Sequence, residues 1–446
     1  MGKSKKSIPR LVIMLGLVSL LTDAATEMIY PLIPLFVAAL GSGAVVLGVI
    51  EGVAESVAAV LKLLSGIVSD RIGKRKLLVV TGYVISSLVR PLTGLVSSAW
   101  QIVLVRMSDR IGKGIRSAPR DAMVASSVDE NNRGRAFGIH RAMDHTGAVL
   151  GPVLAIITLL ILFAGFGIKD STLALRWTFV LALIPGLLAI LTILFFVQES
   201  APSPINSKFF RFSLREFDSN FKNYLLIVIL FTLGNSSDAF LLFRVEESVR
   251  KSGAVIQMVN SIEPLRVMIA GLGDENTGNN IINILFLPLV WAFFHMIKVI
   301  FSTPLGSLSD RIGRKKVINT GWAIYSFVYI SFALLVFLPA NLQVITTFIL
   351  FAIYALFYAF TEGAEKALVA DLVKEAQRGS AYGMYNFSIG LGALPASIIF
   401  GFIYSRVDKI FPGFGGTVAF GFGAAIAFAS MILLALLVKE PERKNH

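Results

Sequence analysis

Long apolar runs recur along this 446-residue chain and constrain its fold more than any other feature. About 20 apolar residues in a helix are enough to cross the hydrocarbon core of a bilayer. Six such runs precede a polar stretch at 199–222, and six follow it. The sequence therefore predicts an all-α integral membrane protein. The runs lie at about 11–36, 44–66, 77–97, 99–124, 136–163, 176–197, 223–243, 281–305, 317–338, 343–370, 381–403 and 415–438.

The composition excludes a soluble protein. Apolar residues make up 55% of the chain and charged residues only 15%, and the mean hydropathy is +0.75. Soluble domains carry about 25% charged residues, and disordered chains are poor in apolar ones. The chain has no cysteine, which rules out disulfide bonds, thiol catalysis and thiolate metal sites.

The net charge of +13 is explained by topology and needs no nucleic-acid partner. Outside the apolar runs, most lysines and arginines fall on the side of the N-terminus, as at 74–76. Cytoplasmic loops of membrane proteins carry this excess of positive charge. The first run lacks a small-residue cleavage site, so it is expected to remain as the first helix. We therefore predict a multi-pass protein of a bacterial-type inner or plasma membrane, surrounded by the lipid bilayer, with both termini cytoplasmic.

Two sequence motifs occur once in each set of six runs. The segment GIVSDRIGKRK at 66–76 returns as GSLSDRIGRKK at 306–316. Likewise, RGRAFG at 133–138 returns as RGSAYG at 378–383. The order and spacing match a duplicated six-helix unit. Parallel repeats of this kind place a binding site between the two halves, near the bilayer midplane.

The repeat divides the chain into two six-helix halves related by a pseudo-two-fold axis. We predict an N-terminal half at 1–198, a cytoplasmic linker at 199–222 and a C-terminal half at 223–446. Polar residues at about 244–280 predict an outer insertion between helices 7 and 8, with room for a short surface helix. Since two halves already complete a pathway, a monomer is expected.

Three motifs resemble those of the major facilitator superfamily. The doubled loop after helices 2 and 8 is similar to the signature loop of that superfamily. Arg106, followed by Gly112 and Gly114 in helix 4, resembles its R-x-x-x-G-x-G-x-G element, with Arg110 in place of the first glycine. The resemblance implies the major facilitator fold, with twelve transmembrane helices. A third element, in helix 5, resembles the G-x-x-x-G-P sequence usual in antiporters, chiefly drug exporters, and consists of Gly147, Gly151 and Pro152.

The doubled loop predicts a conformational switch. A carboxylate such as Asp70 can bind the N-terminal dipole of a neighbouring helix, or pair with Arg71 or Arg75. Such a contact can hold two helices together in one conformation and release them in another. The alternative is a simple positive-inside anchor, which would need neither the aspartate nor the glycines. The residues assigned to the switch are Gly66, Asp70, Arg71, Gly73, Arg75, Gly306, Asp310, Arg311 and Gly313.

A second switch is expected where helices 4 and 10 approach the cytoplasm. Arg120 and Asp121 align in the repeat with Glu365 and Lys366, with the signs reversed. Opposite charges at matching positions predict a salt-bridge gate between the halves. The alternative is that these side chains simply extend to the membrane surface.

Charged side chains of both signs lie within the apolar runs. Each would cost about 2.5–3.5 kcal/mol at a lipid-facing helix centre, so we expect them to pair around a wet interior. The charged residues of helix 4 fall within an arc of about 140°, and Asp23, Glu27 and Tyr30 share a stripe on helix 1. The candidates for substrate binding or proton coupling are Asp23, Glu27, Tyr30, Glu55, Arg106, Asp109, Arg110, His140, Arg141, Asp144, Asp238, His295 and Glu362.

Proton coupling is expected from carboxyl groups in this interior. Burial and a neighbouring arginine have opposite effects on the proton affinity of a carboxyl group. A motion that breaks such a pair would therefore load or release a proton. Asp23, Glu27 and Asp144 are the leading carriers, with His140 as a titrating alternative. Structural pairing is the alternative role for all of these groups, and His295 fits a buried structural role equally well.

These features predict a secondary active transporter driven by the proton gradient, with export by antiport favoured. Arginine binds carboxylate and phosphate through two parallel hydrogen bonds. The arginines within the runs therefore favour a small anionic or zwitterionic solute, such as a siderophore-like polycarboxylate. The alternatives are a proton symporter that imports an organic anion or siderophore, and a multidrug exporter.

A membrane enzyme or a non-transporting receptor is disfavoured. The sequence contains no H-E-x-x-H, G-x-S-x-G or phosphate-binding glycine loop, and a receptor would call for a soluble domain. One group of side chains resembles a metal site, namely His140, Asp144 and His145. Arg141 lies beside them and opposes the binding of a cation. We therefore expect no metal and no cofactor.

Overall fold

The computed structural model describes residues 9–72, 75–127, 133–199, 217–271, 275–373 and 378–440. Within these ranges the chain is helical apart from short turns. Hydrocarbon offers no water to backbone N–H and C=O groups, so a spanning segment must bond them within its own helix. The described residues contain eleven helical stretches long and apolar enough to cross a membrane. The prediction of an all-α membrane protein is confirmed.

The first half of the chain, over the described part of residues 9–199, begins with a broken helix. Its helices are α1 (Arg10–Glu27), α2 (Ile33–Ala39), α3 (Ala44–Ile72), α4 (Arg75–Val89), α5 (Ala99–Ser126), α6 (Arg133–Leu160), α7 (Ser171–Leu181) and α8 (Leu183–Phe196). A 3-10 turn at Tyr30–Leu32 joins α1 to α2. Pro31 lies in this turn and ends α1, because proline lacks an N–H and its ring obstructs the preceding turn.

The second half, over the described part of residues 217–440, also begins with a broken helix. Its helices are α9 (Ser219–Gly234), α10 (Ala239–Ser252), α11 (Ala254–Ser261), α12 (Glu263–Ala270), α13 (Glu275–Ile312), α14 (Arg314–Leu334), α15 (Ala340–Asp371), α16 (Arg378–Ile410) and α17 (Gly415–Leu437). The non-helical step at 235–238 separates α9 from α10. The breaks in the two halves therefore fall in corresponding helices.

The helix α5 supplies the twelfth predicted span. It is not among the eleven apolar stretches, because its charged residues lower its hydropathy. It is nevertheless a 28-residue helix that packs against both α3 and α4. Four of its charged side chains are buried, namely those of Arg106, Asp109, Arg110 and Arg116, and burial inside the bundle is how a charged helix is tolerated in a membrane.

The segment predicted as an outer insertion at 244–280 is largely helical. The helix α10 continues to Ser252 and α13 begins at Glu275, so both predicted neighbours extend into it. Between them, α11 packs on α13 and α15, and α12 exposes Leu265 and Val267. Two short helices therefore stand where one was expected. Of the predicted linker at 199–222, residues 200–216 lie outside the described part of the chain.

The two halves meet mainly along two helix pairs, α3 with α16 and α6 with α13. We call the face at which α1 begins and α17 ends the terminal face, and the opposite one the distal face. The α3–α16 contact is close near the distal face, where an added Cβ at Gly48 would overlap the backbone oxygen of Ser397. An added Cβ at Gly401 would likewise overlap the backbone oxygen of Ala44.

The glycines of the helix 5 element bring α6 against α1. An added Cβ at Gly147 would overlap the backbone oxygen of Leu20, and one at Gly151 would overlap the Cβ of Glu27. Pro152 follows within the same helix. This close packing sets the spacing of the acidic residues that α1 and α6 carry.

Candidate functional site

The breaks in the two halves face each other near the distal face. The hydroxyls of Tyr30 and Ser237 lie 3.3 Å apart, and Ser237 donates a hydrogen bond to Glu51 at 3.2 Å. Further along α3, Ser56 donates to the backbone oxygen of Gly390 at 3.0 Å. Each of these contacts joins the first half to the second, so the interface is closed on the distal side in this conformation.

A buried ion cluster lies behind this closure, within the first half. Arg106 pairs with Glu51 at 2.8 Å, and Arg90 pairs with Asp109 at 2.8 Å. Arg106 and Asp109 lie 4.0 Å apart, and all four side chains are at most 4% exposed. Two arginines thus balance two carboxylates. Arg106 and Asp109 were predicted as solute or proton ligands, and the structure brings them together mainly with partners of their own half.

Other charges of the first half face the space between the halves. Arg110 pairs with Glu55 at 3.3 Å, and the Glu55 side chain is 47% exposed. Lys62 and Lys113 lie nearby and are half-buried. Neither lysine has an ion-pair partner within the described residues. The first half therefore presents both signs of charge to the interface.

Glu27 of α1 reaches across to α13 of the second half. Trp291 Nε1 donates a hydrogen bond to Glu27 Oε2 at 2.7 Å, and His295 Nε2 lies 4.0 Å from the same oxygen. The rings of Tyr30 and Trp291 pack with their centroids 5.2 Å apart. Among the described residues, neither ring nitrogen of His295 has a hydrogen-bond partner. The predicted residues Glu27, Tyr30 and His295 therefore share one site, with Trp291 between them.

Asp238 lies in the step between α9 and α10. Its carboxylate accepts hydrogen bonds from the hydroxyls of Tyr354, at 2.5 Å, and Tyr358, at 2.9 Å. Lys298 Nζ lies 4.2 Å from the centre of the Tyr358 ring. The tyrosines of α15 thus connect Asp238 to the charged residues of α13.

Glu362 of α15 lies between cations of the two halves. Lys298 Nζ is 2.7 Å from its carboxylate, and Arg141 of α6 is 3.8 Å from it. The Arg141 side chain is 50% exposed and that of Glu362 is 30% exposed. Arg141 and Glu362, both predicted candidates, form an open ion pair across the interface.

Asp144 and Asp23 lie on facing sides of α6 and α1. Ser19 donates a hydrogen bond to Asp144 at 2.5 Å, and Arg120 donates to Ser19 at 3.2 Å. His140 lies one turn from Asp144 and is buried, and its Nε2 has no partner among the described residues.

In this conformation, the residues of the predicted gate make contacts only within their own halves, as far as the described residues show. Arg120 pairs with Asp121 at 2.9 Å. Glu365 accepts hydrogen bonds from Trp322, at 3.0 Å, and Tyr385, at 2.5 Å. Lys366 is exposed. The salt-bridge gate stays a prediction for the conformation that closes the terminal side.

The predicted switch loops are only partly described. The surroundings of Gly66, Asp70, Arg71, Gly306, Asp310 and Arg311, and the whole of Gly73, lie outside the described residues. The helix that follows the first loop begins at Arg75, which is buried. The carboxylate described at this helix start belongs to Glu199, the first residue of the predicted linker.

Glu199 and α4 make a reciprocal contact, which we call the Glu199 clasp. The Glu199 carboxylate accepts hydrogen bonds from the backbone N–H groups of Arg75, at 3.2 Å, and Lys76, at 3.1 Å. In return, Lys76 Nζ donates to the backbone oxygen of Leu194 at 3.4 Å. The carboxylate lies at the N-terminal, positive end of the α4 dipole, and the ammonium lies at the C-terminal, negative end of the α8 dipole.

The second half repeats this arrangement as the Glu440 clasp. Glu440 accepts from the backbone N–H groups of Arg314, at 2.7 Å, and Lys315, at 3.2 Å. Lys315 Nζ donates to the backbone oxygen of Ala435 at 3.0 Å. Gly313 precedes α14 with φ of 107°, a conformation that favours glycine. The recurrence of Val-Gln-Glu at 197–199 as Val-Lys-Glu at 438–440 was the available sequence signal.

The site as a whole is suited to binding and to proton exchange. It combines carboxylates, lysines, arginines and hydroxyl donors at the interface of two bundles. Within the described residues there is no group of three or more His, Asp or Glu side chains that could hold a metal ion.

Comparison with known proteins assigns the family. The Major Facilitator Superfamily model matches residues 15–259 and 252–446. The chain is 32% identical over 437 residues to an uncharacterized MFS-type transporter of Methanocaldococcus jannaschii, covering 98% of this chain and 97% of that one. It is 29% identical over 312 residues to the multidrug resistance protein MdtG of Citrobacter koseri, covering 68% and 67% of the two chains.

A solved structure shows the same fold. The nucleoside transporter NupG (D323A mutant) superposes with a TM-score of 0.69 at 15% identity, covering 95% of this chain and 99% of the other. This likeness is to the whole helical bundle and carries no information on the solute. The sequence match over nearly the whole chain and the shared fold agree: the chain belongs to the major facilitator superfamily and is a secondary transporter of a small molecule.

Proposed function

We propose that this transporter exports a small zwitterionic solute in exchange for protons, with its terminal face in the cytoplasm. The excess of lysine and arginine in the loops at that face supports the orientation. The glycine element of α6, with its resemblance to antiporters, supports exchange. A monomer suffices, because both halves of the pathway belong to one chain.

The observation that carries the proposal is the position of Glu362 between Arg141 and Lys298. The pair with Arg141 is open, at 3.8 Å, and both partners are accessible from the space between the halves. An open pair can exchange partners with a solute. The ammonium of a zwitterion then binds Glu362, while its carboxylate or phosphate binds the planar guanidinium of Arg141.

The charge of the solute decides whether it is exchanged for protons or transported together with them. A proton and the cationic group of a solute both bind carboxylates, so they compete for the same sites and are exchanged. A purely anionic solute would instead bind better when those carboxylates are protonated, which favours symport. The neutralisation of Arg106 and Arg90 by Glu51 and Asp109 also leaves fewer cations for a polyanion. A zwitterion is therefore the solute class that fits antiport.

Two other functions keep the same fold. Import of an organic anion by proton symport would use Lys62, Lys113 and Arg141 as the anion site. Multidrug export is supported by the relative named as a multidrug resistance protein. The aromatic rings of Tyr30, Trp291 and Tyr358 near the interface also favour lipophilic cations.

Transport by proteoliposomes under an imposed pH gradient tests these functions. The probes are labelled neutral amino acids, dicarboxylates and tetraphenylphosphonium, each with the gradient imposed in both directions. We expect a zwitterionic probe to move against the proton flux. Movement of a dicarboxylate with the protons would establish symport, and movement of tetraphenylphosphonium alone would establish drug export; either result would overturn the proposal.

The variant Glu362→Gln connects the transport result to the site. It should abolish exchange of the zwitterionic probe, because the amide cannot hold an ammonium or a proton. Glu263→Gln on α12 is the matched control, since this residue is exposed outside the interface. Equal exchange by the wild type and the Glu362→Gln variant would contradict the role of the open pair.

A further inference from the structure

Lys298 and Glu362 form an ion pair beside the ring of Tyr358. Lys298 Nζ lies 2.7 Å from Glu362 Oε1 and 4.2 Å from the centre of the Tyr358 ring. Carboxylates and aromatic faces both bind ammonium ions. The proposed exchange uses Glu362 but gives no role to the lysine that already pairs with it.

The groups that surround the lysine ammonium belong to one helix. Glu362 follows Tyr358 by four residues on α15, so the two side chains lie on the same face of this helix. The Tyr358 hydroxyl donates to Asp238 at 2.9 Å, and its ring packs on that of Phe294 with the centroids 5.9 Å apart. The ring is therefore held in position by groups other than Lys298. We call Glu362 and the ring of Tyr358 the ammonium subsite.

The carboxylate of the ammonium subsite is also open to the space between the halves. Lys298 reaches the subsite from α13, and its side chain is only 10% exposed. The second carboxylate oxygen, Glu362 Oε2, is 3.8 Å from Arg141, and the Glu362 side chain is 30% exposed. A solute in this space can therefore contact Glu362 while Lys298 is in place.

The end of the lysine side chain has the structure of a primary amine. Its last two carbons and its ammonium are those of ethylammonium, and the distance of 2.7 Å to the carboxylate is that of a charged N–H hydrogen bond. A solute ammonium that binds the subsite must therefore compete with Lys298. Because Lys298 is part of the chain, it competes at a constant effective concentration.

Displacement deprives Lys298 of the Glu362 carboxylate. Loss of a carboxylate partner is costly for an ammonium with little exposure to water. A simple amine brings only a second cation and offers no replacement. A zwitterion brings an anionic group of its own, which can bind the displaced ammonium together with Arg141. Only a zwitterion therefore leaves every charge of the site paired.

We propose that Lys298 restricts this transporter to zwitterions. Its ammonium occupies the ammonium subsite when no solute is bound, and the ammonium of the solute displaces it. An amine without an anionic group is rejected, because it provides no partner for the displaced lysine. The inference rests on the proposed function and adds the residue that determines the solute class.

Binding to the purified full-length protein in detergent tests this role without transport. The probes are alanine and ethylammonium, which differ by one carboxylate, and saturation-transfer NMR measures their dissociation constants. We expect the wild type to prefer alanine. Lys298→Met should bind ethylammonium about fivefold more tightly than the wild type, because one partly exposed ion pair no longer competes. Its preference for alanine should shrink.

Three further variants show whether the gain arises at the subsite. Adding Glu362→Gln to Lys298→Met should remove the gain, because the gain requires the carboxylate. Lys169→Met is the matched control, since Lys169 is exposed in the turn between α6 and α7, and it should bind both probes as the wild type does. If Lys298→Met does not fold, Lys298→Gln removes the same charge and should show the same gain.

Two results would overturn the role of Lys298. Equal binding of the two probes by the wild type would show that the site does not reject simple amines. An unchanged or weaker affinity for ethylammonium in Lys298→Met would show that the lysine does not compete for the subsite.

The binding result and the transport result fail independently. A gain of ethylammonium binding in Lys298→Met, in a protein that moves a zwitterion without exchanging protons, would support the role of Lys298 and overturn the proposed antiport. Exchange of a zwitterion for protons, in a protein whose Lys298→Met variant shows no gain, would overturn the role of Lys298 and leave the proposed function.

Discussion

Glu199 and Lys76 join the ends of two helices in both directions. The backbone N–H of Lys76 donates to the Glu199 carboxylate at 3.1 Å, and the Lys76 ammonium donates to the backbone of α8 at 3.4 Å. The carboxylate lies at the positive end of α4 and the ammonium at the negative end of α8. Glu440 and Lys315 make the same contact in the second half. The helix pairs α4–α8 and α14–α17 are therefore each fastened at the terminal face.

Removing the Glu199 carboxylate should destabilise the protein. Loss of a side-chain acceptor at a helix start costs about 0.5–2 kcal/mol, so Glu199→Ala should lower the unfolding temperature in detergent. Glu199→Gln should lower it less, since its amide oxygen still accepts one bond. Glu440→Ala should match Glu199→Ala. Glu263→Ala is the exposed control, and an equal loss in that variant would contradict the clasp.

The buried and open arginines should differ sharply in their effect on stability. Arg106→Gln leaves Glu51 buried without its cation, which costs about 3–5 kcal/mol. Arg141→Gln removes a half-exposed partner, which costs about 1 kcal/mol or less. Denaturant unfolding of both variants measures the two losses. Similar losses would show that Arg106 is not part of a tightly coupled buried cluster.

Alanine at Gly147 should disturb the contact between α6 and α1. The added methyl group would overlap the backbone oxygen of Leu20, and such overpacking costs about 1–3 kcal/mol. Gly421 is the matched control: it lies in α17 with no atom within 4 Å of an added Cβ. Gly421→Ala should be neutral or stabilising by up to about 1 kcal/mol. Thermal unfolding of the two variants measures both changes in stability, and an equal unfolding temperature for the two would contradict the close contact at Gly147.

Trp291→Phe should favour opening on the distal side. Phenylalanine keeps the ring packing but loses the hydrogen bond to Glu27, which is worth about 1.5–3 kcal/mol for a charged acceptor. The chain has no cysteine, so spin labels at Lys169→Cys and Phe411→Cys report one distance across the distal face. We expect a larger population of long distances in Trp291→Phe.

Trp177→Phe serves as the control for this change. Trp177 is 48% exposed, so its indole N–H is not expected to restrain the halves. An unchanged distance distribution in Trp291→Phe, equal to that of Trp177→Phe, would count against a closing role for Trp291.

The fold could be predicted because few kinds of backbone structure can cross a bilayer. A run of about 20 apolar residues must form a helix that satisfies its own backbone, and the doubled motifs specify two similar units. The break after Glu27 was not predicted: the apolar run at 11–36 was expected to form one helix, although Pro31 lies within it. Even the charged helix α5 was anticipated, because its charged residues share one face, and several of them are buried in the contact with α3 and α4.

The pairing of the charges could not be predicted. Arg106 and Arg110 lie one turn apart on the same face of α5, yet Arg106 is sealed against Glu51 while Arg110 pairs with the half-exposed Glu55. Helical periodicity gives both residues the same environment. The difference arises from how deeply α3 and its partners cover each position, which is a property of tertiary packing. The role of Glu199 was missed because its partners are backbone groups, and its sequence signal is only the recurrence of Val-Gln-Glu at 197–199 as Val-Lys-Glu at 438–440.

The distal closure is made almost wholly of neutral donors, namely the hydroxyls of Tyr30, Ser56 and Ser237 and the indole of Trp291. The ionic partners of Glu51 and Asp109 remain inside the first half. Parting the halves there exchanges single hydrogen bonds for bonds to incoming water. These bonds are worth about 0.5–1.5 kcal/mol between neutral groups and about 1.5–3 kcal/mol where the acceptor is the carboxylate of Glu27 or Glu51. No buried ion pair has to be broken, because the pairs of Glu51 and Asp109 lie within the first half. The two halves can therefore part at the distal mouth without moving a charged side chain from one half to the other.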